Sequence, residues 1–108
     1  MKIEILHIEA CPNWREAGER VGAALATVGA DADAVEYRLI TESAALDDLP
    51  FAGSPTILGD GRDLFPTDGA TRDLACRVYV SHGRLAGVPA LDELVAALRQ
   101  RDGSNAEG

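Results

Sequence analysis

Two cysteines are the residues of this chain best suited to covalent chemistry. Cys11 lies between an apolar segment and the beginning of an amphipathic pattern, and Cys76 follows 65 positions later (11 to 76). Unpaired N–H groups and the dipole at a helix N-terminus favour a thiolate over a thiol. A thiolate attacks disulfides and peroxides and binds soft metals. The position of Cys11 therefore predicts a reactive nucleophile, although many cysteines are simply buried core residues.

Other candidate side chains each allow more than one interpretation. Cys76 is either a distant partner of Cys11 or an inert strand residue, since a disulfide needs two Cα atoms within about 7 Å. Trp14 either packs in the core, shields the thiol or offers a substrate a flat contact. His7 would activate a nearby thiol, although a histidine beside buried isoleucines is more typical of a packed residue. We assign no role to His82, which lies in a predicted surface turn.

The segment Ser54-Pro55-Thr56 is a second signal. A proline that begins a strand after a Gly-Ser pair is a candidate for a cis peptide bond. Only about 5% of X–Pro bonds in folded proteins are cis, however. On its own, the motif therefore favours an ordinary trans bond between Ser54 and Pro55.

The first half of the chain predicts the elements that position Cys11. Residues 2–9 are apolar on both faces, which is typical of a central strand in a covered sheet. Spacings of three and four between apolar residues predict a helix over 14–28, with Pro12 in its first turn and Gly29 as its C-terminal cap. Residues 34–40 alternate and predict a half-exposed strand. This order forms a right-handed βαβ unit with parallel strands.

The second half of the chain is less regular. It predicts a short helix over about 41–48, a strand over 54–58 and an antiparallel return over 62–65. Residues 66–87 contain either a hairpin arm around 76–86 or a helical turn over 71–76. An apolar stripe after Pro89 predicts a last helix. We expect one domain over 1–101 with strand order 3–1–2, two long helices on one face, the short helix on the other, and a disordered tail over 102–108.

Composition excludes several classes of function. The chain has 108 residues, 46% of them hydrophobic, which suits a single core. Its formal charge of −8 repels nucleic acid and anionic lipid. We expect no membrane span, because no apolar run approaches about 20 residues, and no signal peptide. Two cysteines are too few for a secreted disulfide scaffold, so we expect a cytoplasmic protein with reduced thiols.

We expect no metal and no cofactor. The cysteines and histidines lack the short paired spacings of zinc ligands, and the aspartates between 60 and 73 match no calcium loop. The glycines between 59 and 69 precede no convincing helix that would bind a phosphate. The expected partners are a small thiol or disulfide substrate or another protein, and the oligomeric state is left open.

Three segments together resemble a known family: ILHIEACPNW, FAGSPTILGDGRDLF and LACRVY. A strand followed by Cys-Pro at a helix N-terminus, and later by Ser-Pro-Thr at the start of a strand, resembles the thioredoxin-like fold. Over about residues 2–100 the chain resembles more closely the small bacterial thioredoxin-like proteins of the DF family. Some members of that family have selenocysteine where this chain has Cys11, and they are often labelled alkylmercury-lyase-like.

The resemblance implies a thioredoxin-like α/β fold, with a mixed central sheet flanked by helices. It also implies that the Ser54–Pro55 bond is cis and faces Cys11. In that fold a cis-proline backbone pairs with an extended substrate segment. Pro12, Trp14, Ser54 and Pro55 are therefore the substrate-binding residues that the resemblance implies.

The chain departs from thioredoxins at Trp14, where they have a second cysteine. What remains is thiol–disulfide exchange or peroxide reduction at Cys11, resolved by Cys76 or by a small thiol. One alternative is cleavage of a carbon–mercury bond, or binding of a soft metal, by Cys11 and Cys76. Another is a binding module on the same fold that catalyses nothing.

Overall fold

A computed structural model describes residues 2–29, 35–42, 51–66 and 76–107. Within these residues the chain forms six strands and two helices. In chain order they are β1 (Ile3–His7), α1 (Asn13–Thr27), β2 (Val35–Leu39), β3 (Thr56–Gly59), β4 (Arg62–Asp63), β5 (Tyr79–Ser81), β6 (Arg84–Ala86) and α2 (Leu91–Glu107).

Four strands form a mixed sheet in the order β2-β1-β3-β4. Strand β1 pairs with β2 in parallel and with β3 antiparallel, and β4 returns antiparallel beside β3. The α/β class, the strand order 3–1–2 and the parallel first pair are thereby confirmed. All five residues of β1 are buried, as expected for a strand between two neighbours and two covered faces.

Both helices pack on one face of the sheet, as predicted. The spacing of apolar residues in α1 places Ala17, Val21 and Leu25 on the side that meets β1. Leu94 and Leu98 of α2 complete this helix-side core. Burial of each such aliphatic side chain contributes about 1.5–3 kcal/mol to folding. Gly29, which follows shortly after the end of α1, has a positive φ of 79°, as a glycine that caps a helix C-terminus requires.

The opposite face of the sheet carries a second, smaller core. Its members are apolar side chains from β1 and β3, from the segments that follow β1 and β2, and from the segment before β3: Leu6, Ile8, Cys11, Ile40, Phe51 and Leu58. The short helix predicted for this face over about 41–48 falls mainly within residues 43–50, which lie outside the described residues. Cys11 is therefore a member of the opposite core and not of the helix-side core.

The structure differs from the expectations in the exposure of β2 and in the end of α2, and it decides between the two alternatives for residues 66–87 in part. Strand β2 is more exposed than predicted, with Tyr37 and Leu39 about half exposed, because it lies at the sheet edge with a neighbour on one side. The hairpin arm exists as β5 and β6 around His82 and Gly83, and the alternative helical turn falls on residues outside the described ranges. Helix α2 continues past residue 101, through most of the segment expected to be a disordered tail.

Candidate functional site

Cys11 lies in the turn that connects β1 to α1. Its backbone N–H donates to the Ile8 carbonyl at 3.3 Å, and Pro12 immediately precedes the first residue of α1. The Ile8 N–H in turn donates to the Ser54 hydroxyl at 3.0 Å. The turn that carries the thiol is therefore held against Ser54, a residue 43 positions away in the chain.

The Cys11 side chain is completely buried. Its thiol donates to the Ser54 carbonyl oxygen at 3.4 Å. A buried sulfur with an exposed fraction of 0% does not meet an incoming molecule directly in this structure. Cys11, the predicted nucleophile, thus lies beside a backbone hydrogen-bond acceptor but is buried under other residues.

The Ser54–Pro55 bond is cis, as predicted. Ser54, Pro55 and Thr56 are all buried. The Thr56 hydroxyl donates to the Gly53 carbonyl and accepts the Ala52 N–H, so this turn is closed on itself by a side chain. The Ser54 backbone is thereby held next to the Cys11 sulfur.

Cys76, which comes from a distant part of the sequence, also lies next to Ser54. It forms an isolated parallel bridge with Ser54, and the Arg77 N–H donates to the Ser54 carbonyl at 2.7 Å. Cys11 and Cys76 therefore both adjoin Ser54, the first through its thiol and the second through its backbone. Interaction with the Cys11 side chain, desolvation by burial and the charge of a nearby Cys11 thiolate all raise the pKa of Cys76. Unlike Cys11, Cys76 is exposed.

The segment 76–79, which we call the Cys76 strap, is fastened by side chains as well as by Ser54. The buried Arg77 guanidinium donates to the Asp63 carboxylate at 2.7 Å and to the Phe65 carbonyl. It also lies over the Tyr79 ring, 4.3 Å from its centre. The buried Tyr79 hydroxyl donates to the Pro55 carbonyl, and burial raises the pKa of Tyr79, which keeps that donor protonated.

An open cleft of about 460 Å³ adjoins the exposed thiol. Its walls come from the strap, from the start of β5 and from the segment after β4, and they include Phe65, Cys76 and Tyr79. Small-molecule sites in proteins have volumes of about 300–1,000 Å³. The cleft is therefore large enough for a small organic molecule beside Cys76.

Trp14 and Pro12, two of the predicted substrate-binding residues, do not line the cleft. Trp14 packs against the helix-side core and stacks on His7, with 4.8 Å between the ring centres. Tyr37 contacts both rings edge-on, and Pro12 is exposed at the start of α1. The buried His7 Nδ1 has no hydrogen-bond partner among the described residues, and burial lowers the pKa of His7. His7 and Trp14 therefore fit the packed role that the sequence allowed. Both lie on the opposite side of the sheet from Cys11.

Four residues that hold the site together were not expected from the sequence: Gly53, Asp63, Arg77 and Tyr79. Gly53 has a φ of 107°, and a Cβ built on it would lie 2.8 Å from the Arg77 Cα. A glycine directly before Ser-Pro was the signal available for a close backbone approach. The Asp63–Arg77 pair offered no local signal, because its members are 14 residues apart on separate segments.

Within the described residues, no three His, Cys, Asp or Glu side chains are grouped closely enough to hold a metal ion. The described helices include none with the length and apolar character needed to cross a bilayer. Comparison with protein families, curated proteins and solved structures gave no match to this chain. The two thiols beside Ser54 are therefore the feature of this chain that best indicates a function.

Proposed function

We propose that this protein is a thiol–disulfide oxidoreductase that uses Cys11 and Cys76 as its redox pair. The observation that supports this proposal is that two cysteines 65 residues apart in the sequence both adjoin the same residue, Ser54. Both flank the Ser54 carbonyl, which accepts from the Cys11 thiol and from the Arg77 N–H. Two cysteines whose Cα atoms lie within about 7 Å can form an internal disulfide without a large movement of the backbone.

The proposed reaction transfers two electrons from the protein to a disulfide. One protein thiolate attacks a substrate sulfur, which forms a mixed disulfide and releases the first substrate thiol. Cys11 is the nucleophile of the second step, because its sulfur adjoins Cys76. Its attack on the Cys76 sulfur closes the internal disulfide and releases the second thiol. The two thiol protons of the protein end on the two released thiols.

The same pair suits peroxide reduction. A peroxide would oxidise one cysteine to a sulfenic acid and leave as an alcohol or water. Attack by the second sulfur on the sulfenic acid would then release water and form the same internal disulfide. In the cytoplasm, which the sequence predicts as the location, glutathione-like thiols would return the pair to its reduced form.

We also propose that the fold is thioredoxin-like and related to the DF family. The mixed sheet with order β2-β1-β3-β4, the two helices on one face and the cis bond beside Cys11 support this assignment. The second thiol, however, comes from the Cys76 strap and not from the first turn of α1. This arrangement would explain how a chain with Trp14 at the usual second position keeps a dithiol.

Thiol counting after oxidation tests the proposed function. The reduced protein is incubated with bis(2-hydroxyethyl) disulfide, and its intact mass and remaining free thiols are measured. We expect the wild type to lose both thiols and two hydrogens without retaining an adduct. Cys11→Ser and Cys76→Ser are matched controls, because each retains one thiol and is unable to close the ring. A wild type that keeps an adduct and never forms the internal bond would contradict the proposal.

A second candidate is binding of a soft metal ion by the same two thiolates. The observation that favours it is again the placement of Cys11 and Cys76 beside Ser54, because soft thiolates bind soft ions such as mercury(II) well. Cleavage of a carbon–mercury bond would further need a proton donor. Mercury(II) titration followed by thiolate-to-metal absorbance would test this candidate. A stoichiometry of one ion per protein that requires both cysteines is expected if it is correct.

A further inference from the structure

We infer that the substrates of this site are low-molecular-weight disulfides that react first at Cys76, and that extended polypeptide disulfides are disfavoured. The inference rests on the proposed redox function and adds its substrate class. Three observations carry it: the paired backbone at Ser54, the fastening of the Cys76 strap, and the different exposure of the two thiols.

The backbone next to Cys11 is already paired. Extended polypeptides commonly bind by adding a strand to an edge with free N–H and carbonyl groups. At Ser54 that place is taken by the chain itself, through the bridge to Cys76 and the 2.7 Å bond from the Arg77 N–H. A polypeptide that sought the same carbonyl would first have to displace the strap.

Displacement of the strap would break several buried contacts at once. The Arg77 guanidinium would leave Asp63, whose side chain is 11% exposed, and the Tyr79 hydroxyl would leave the Pro55 carbonyl. Separation of a buried charged pair leaves an uncompensated charge, which is strongly unfavourable. The strap is thus a fixed part of the site and not a loosely attached cover.

Exposure determines which sulfur meets the substrate. Cys11 is fully buried, whereas Cys76 is exposed and lines the 460 Å³ cleft. A small disulfide in that cleft reaches the Cys76 sulfur without any change at Ser54. The Cys76 thiolate attacks it, forms the mixed disulfide and releases one small thiolate. Cys11 then attacks the Cys76 sulfur, and the second small thiolate leaves.

The test compares two disulfides of different size. The reduced wild type is mixed with bis(2-hydroxyethyl) disulfide, or with a disulfide-linked pair of extended peptides that each carry one central cysteine. Each rate is divided by the rate of the same reagent with free cysteine. We expect the small reagent to be favoured by about tenfold or more, since the docking of an extended chain adds an orientational constraint. Equal normalised rates would overturn the inference.

Single-cysteine variants identify the sulfur that reacts first. Cys11→Ser should form a mixed disulfide at Cys76 with the small reagent, whereas the folded Cys76→Ser should leave Cys11 unmodified. Faster adduct formation at Cys11 than at Cys76 would overturn the order. Internal disulfide formation in the wild type is scored separately, so loss of the proposed function is distinguishable from loss of this inference.

A loosened strap provides a further comparison. Tyr79→Phe removes the bond to the Pro55 carbonyl and keeps the ring, so the peptide reagent should gain more rate than the small one. Leu85→Ser changes an exposed residue of β6 outside the cleft and should leave both rates unchanged. No selective gain in Tyr79→Phe, with both variants folded, would contradict the role assigned to the strap.

Discussion

The thiol site and the aromatic group of His7, Trp14 and Tyr37 both lie near the end of β1, but on opposite sides of the sheet. The aromatic group joins residues of three consecutive elements, β1, α1 and β2, through ring contacts. The thiol site joins the turn after β1 to segments around residues 54 and 76, largely through backbone hydrogen bonds.

This difference predicts how each region responds to substitution. Ring contacts at a partly exposed surface can be rearranged, since Tyr37 is 49% exposed and free to turn towards solvent. Backbone bonds and the buried Arg77–Asp63 pair at the thiol site have fixed directions, and their loss leaves buried polar groups without a partner. Substitutions around Cys11 and Cys76 should therefore be costlier than substitutions around Trp14.

The largest effect is expected for Gly53→Ala. The positive φ of 107° would strain an alanine by roughly 1–3 kcal/mol, and its Cβ would overlap the Arg77 backbone, at a further cost of roughly 1–3 kcal/mol. A shift of Arg77 would also move Cys76 away from Cys11. We expect a large loss in the free energy of unfolding, measured by urea denaturation, and slower closure of the internal disulfide.

Gly61→Ala is the matched control for this prediction. Gly61 also has a positive φ, of 83°, but a Cβ there would meet no atom within 4 Å. Its substitution should therefore show the backbone strain alone and leave the rate of disulfide closure unchanged. Equal losses in the two variants would show that contact between Gly53 and the strap is unimportant.

A moderate effect is expected from acid at the aromatic group. Burial lowers the pKa of His7, so below the ordinary value of about 6.5 the unfolded chain binds a proton that the folded protein does not. The free energy of unfolding should therefore fall as the pH drops below about 6.5, by at most about 1.4 kcal/mol per pH unit for one proton. Denaturation with urea at several pH values measures this slope.

His7→Phe should flatten that slope while keeping a ring against Trp14. It also removes the buried Nδ1 that has no described partner, so we expect no loss of stability at neutral pH. His82→Gln changes the exposed histidine beside Asp92 and should retain the contribution of His7. A slope that depends on His82 and not on His7 would refute the prediction.

The smallest effect is expected from two glycines of α1. Alanine in a helix is more stable than glycine by about 0.5–1 kcal/mol, and a Cβ on Gly22 would meet no atom within 4 Å. Gly22→Ala should therefore raise the free energy of unfolding by this amount. A Cβ on Gly18 would overlap the Tyr37 hydroxyl, which has to move. Gly18→Ala should gain less because the ring contact with Trp14, worth about 0.5–1.5 kcal/mol, is weakened.

Thermal or urea denaturation of both variants checks this pair. The difference between them should shrink in a Tyr37→Ala background, where the overlapping ring is absent. A persistent difference in that background would assign the effect to α1 alone. It would then remove the evidence that the aromatic group adjusts to a new side chain.

Local patterns were sufficient for the first half of the fold. The two-sided apolar run of β1, the spacing of Ala17, Val21 and Leu25 in α1, and the position of Gly29 all depend on residues close in sequence. Periodicity reports such neighbours directly, because side chains repeat every two residues in a strand and every 3.6 in a helix. The position of Cys11 at the start of a helix followed from the same patterns.

The placement of Cys11 and Cys76 beside the same residue does not follow from local sequence patterns. The sequence left it open whether Cys76 was a partner or an inert residue, because neither cysteine carries a local signal about the other. Their common position beside Ser54 depends on the register of Ser54 against both segments, and on Arg77, Asp63 and Tyr79, which hold the strap in place. Register over such a separation is a property of the assembled sheet and its buried contacts, so only the tertiary structure decided which thiol is buried and which is exposed.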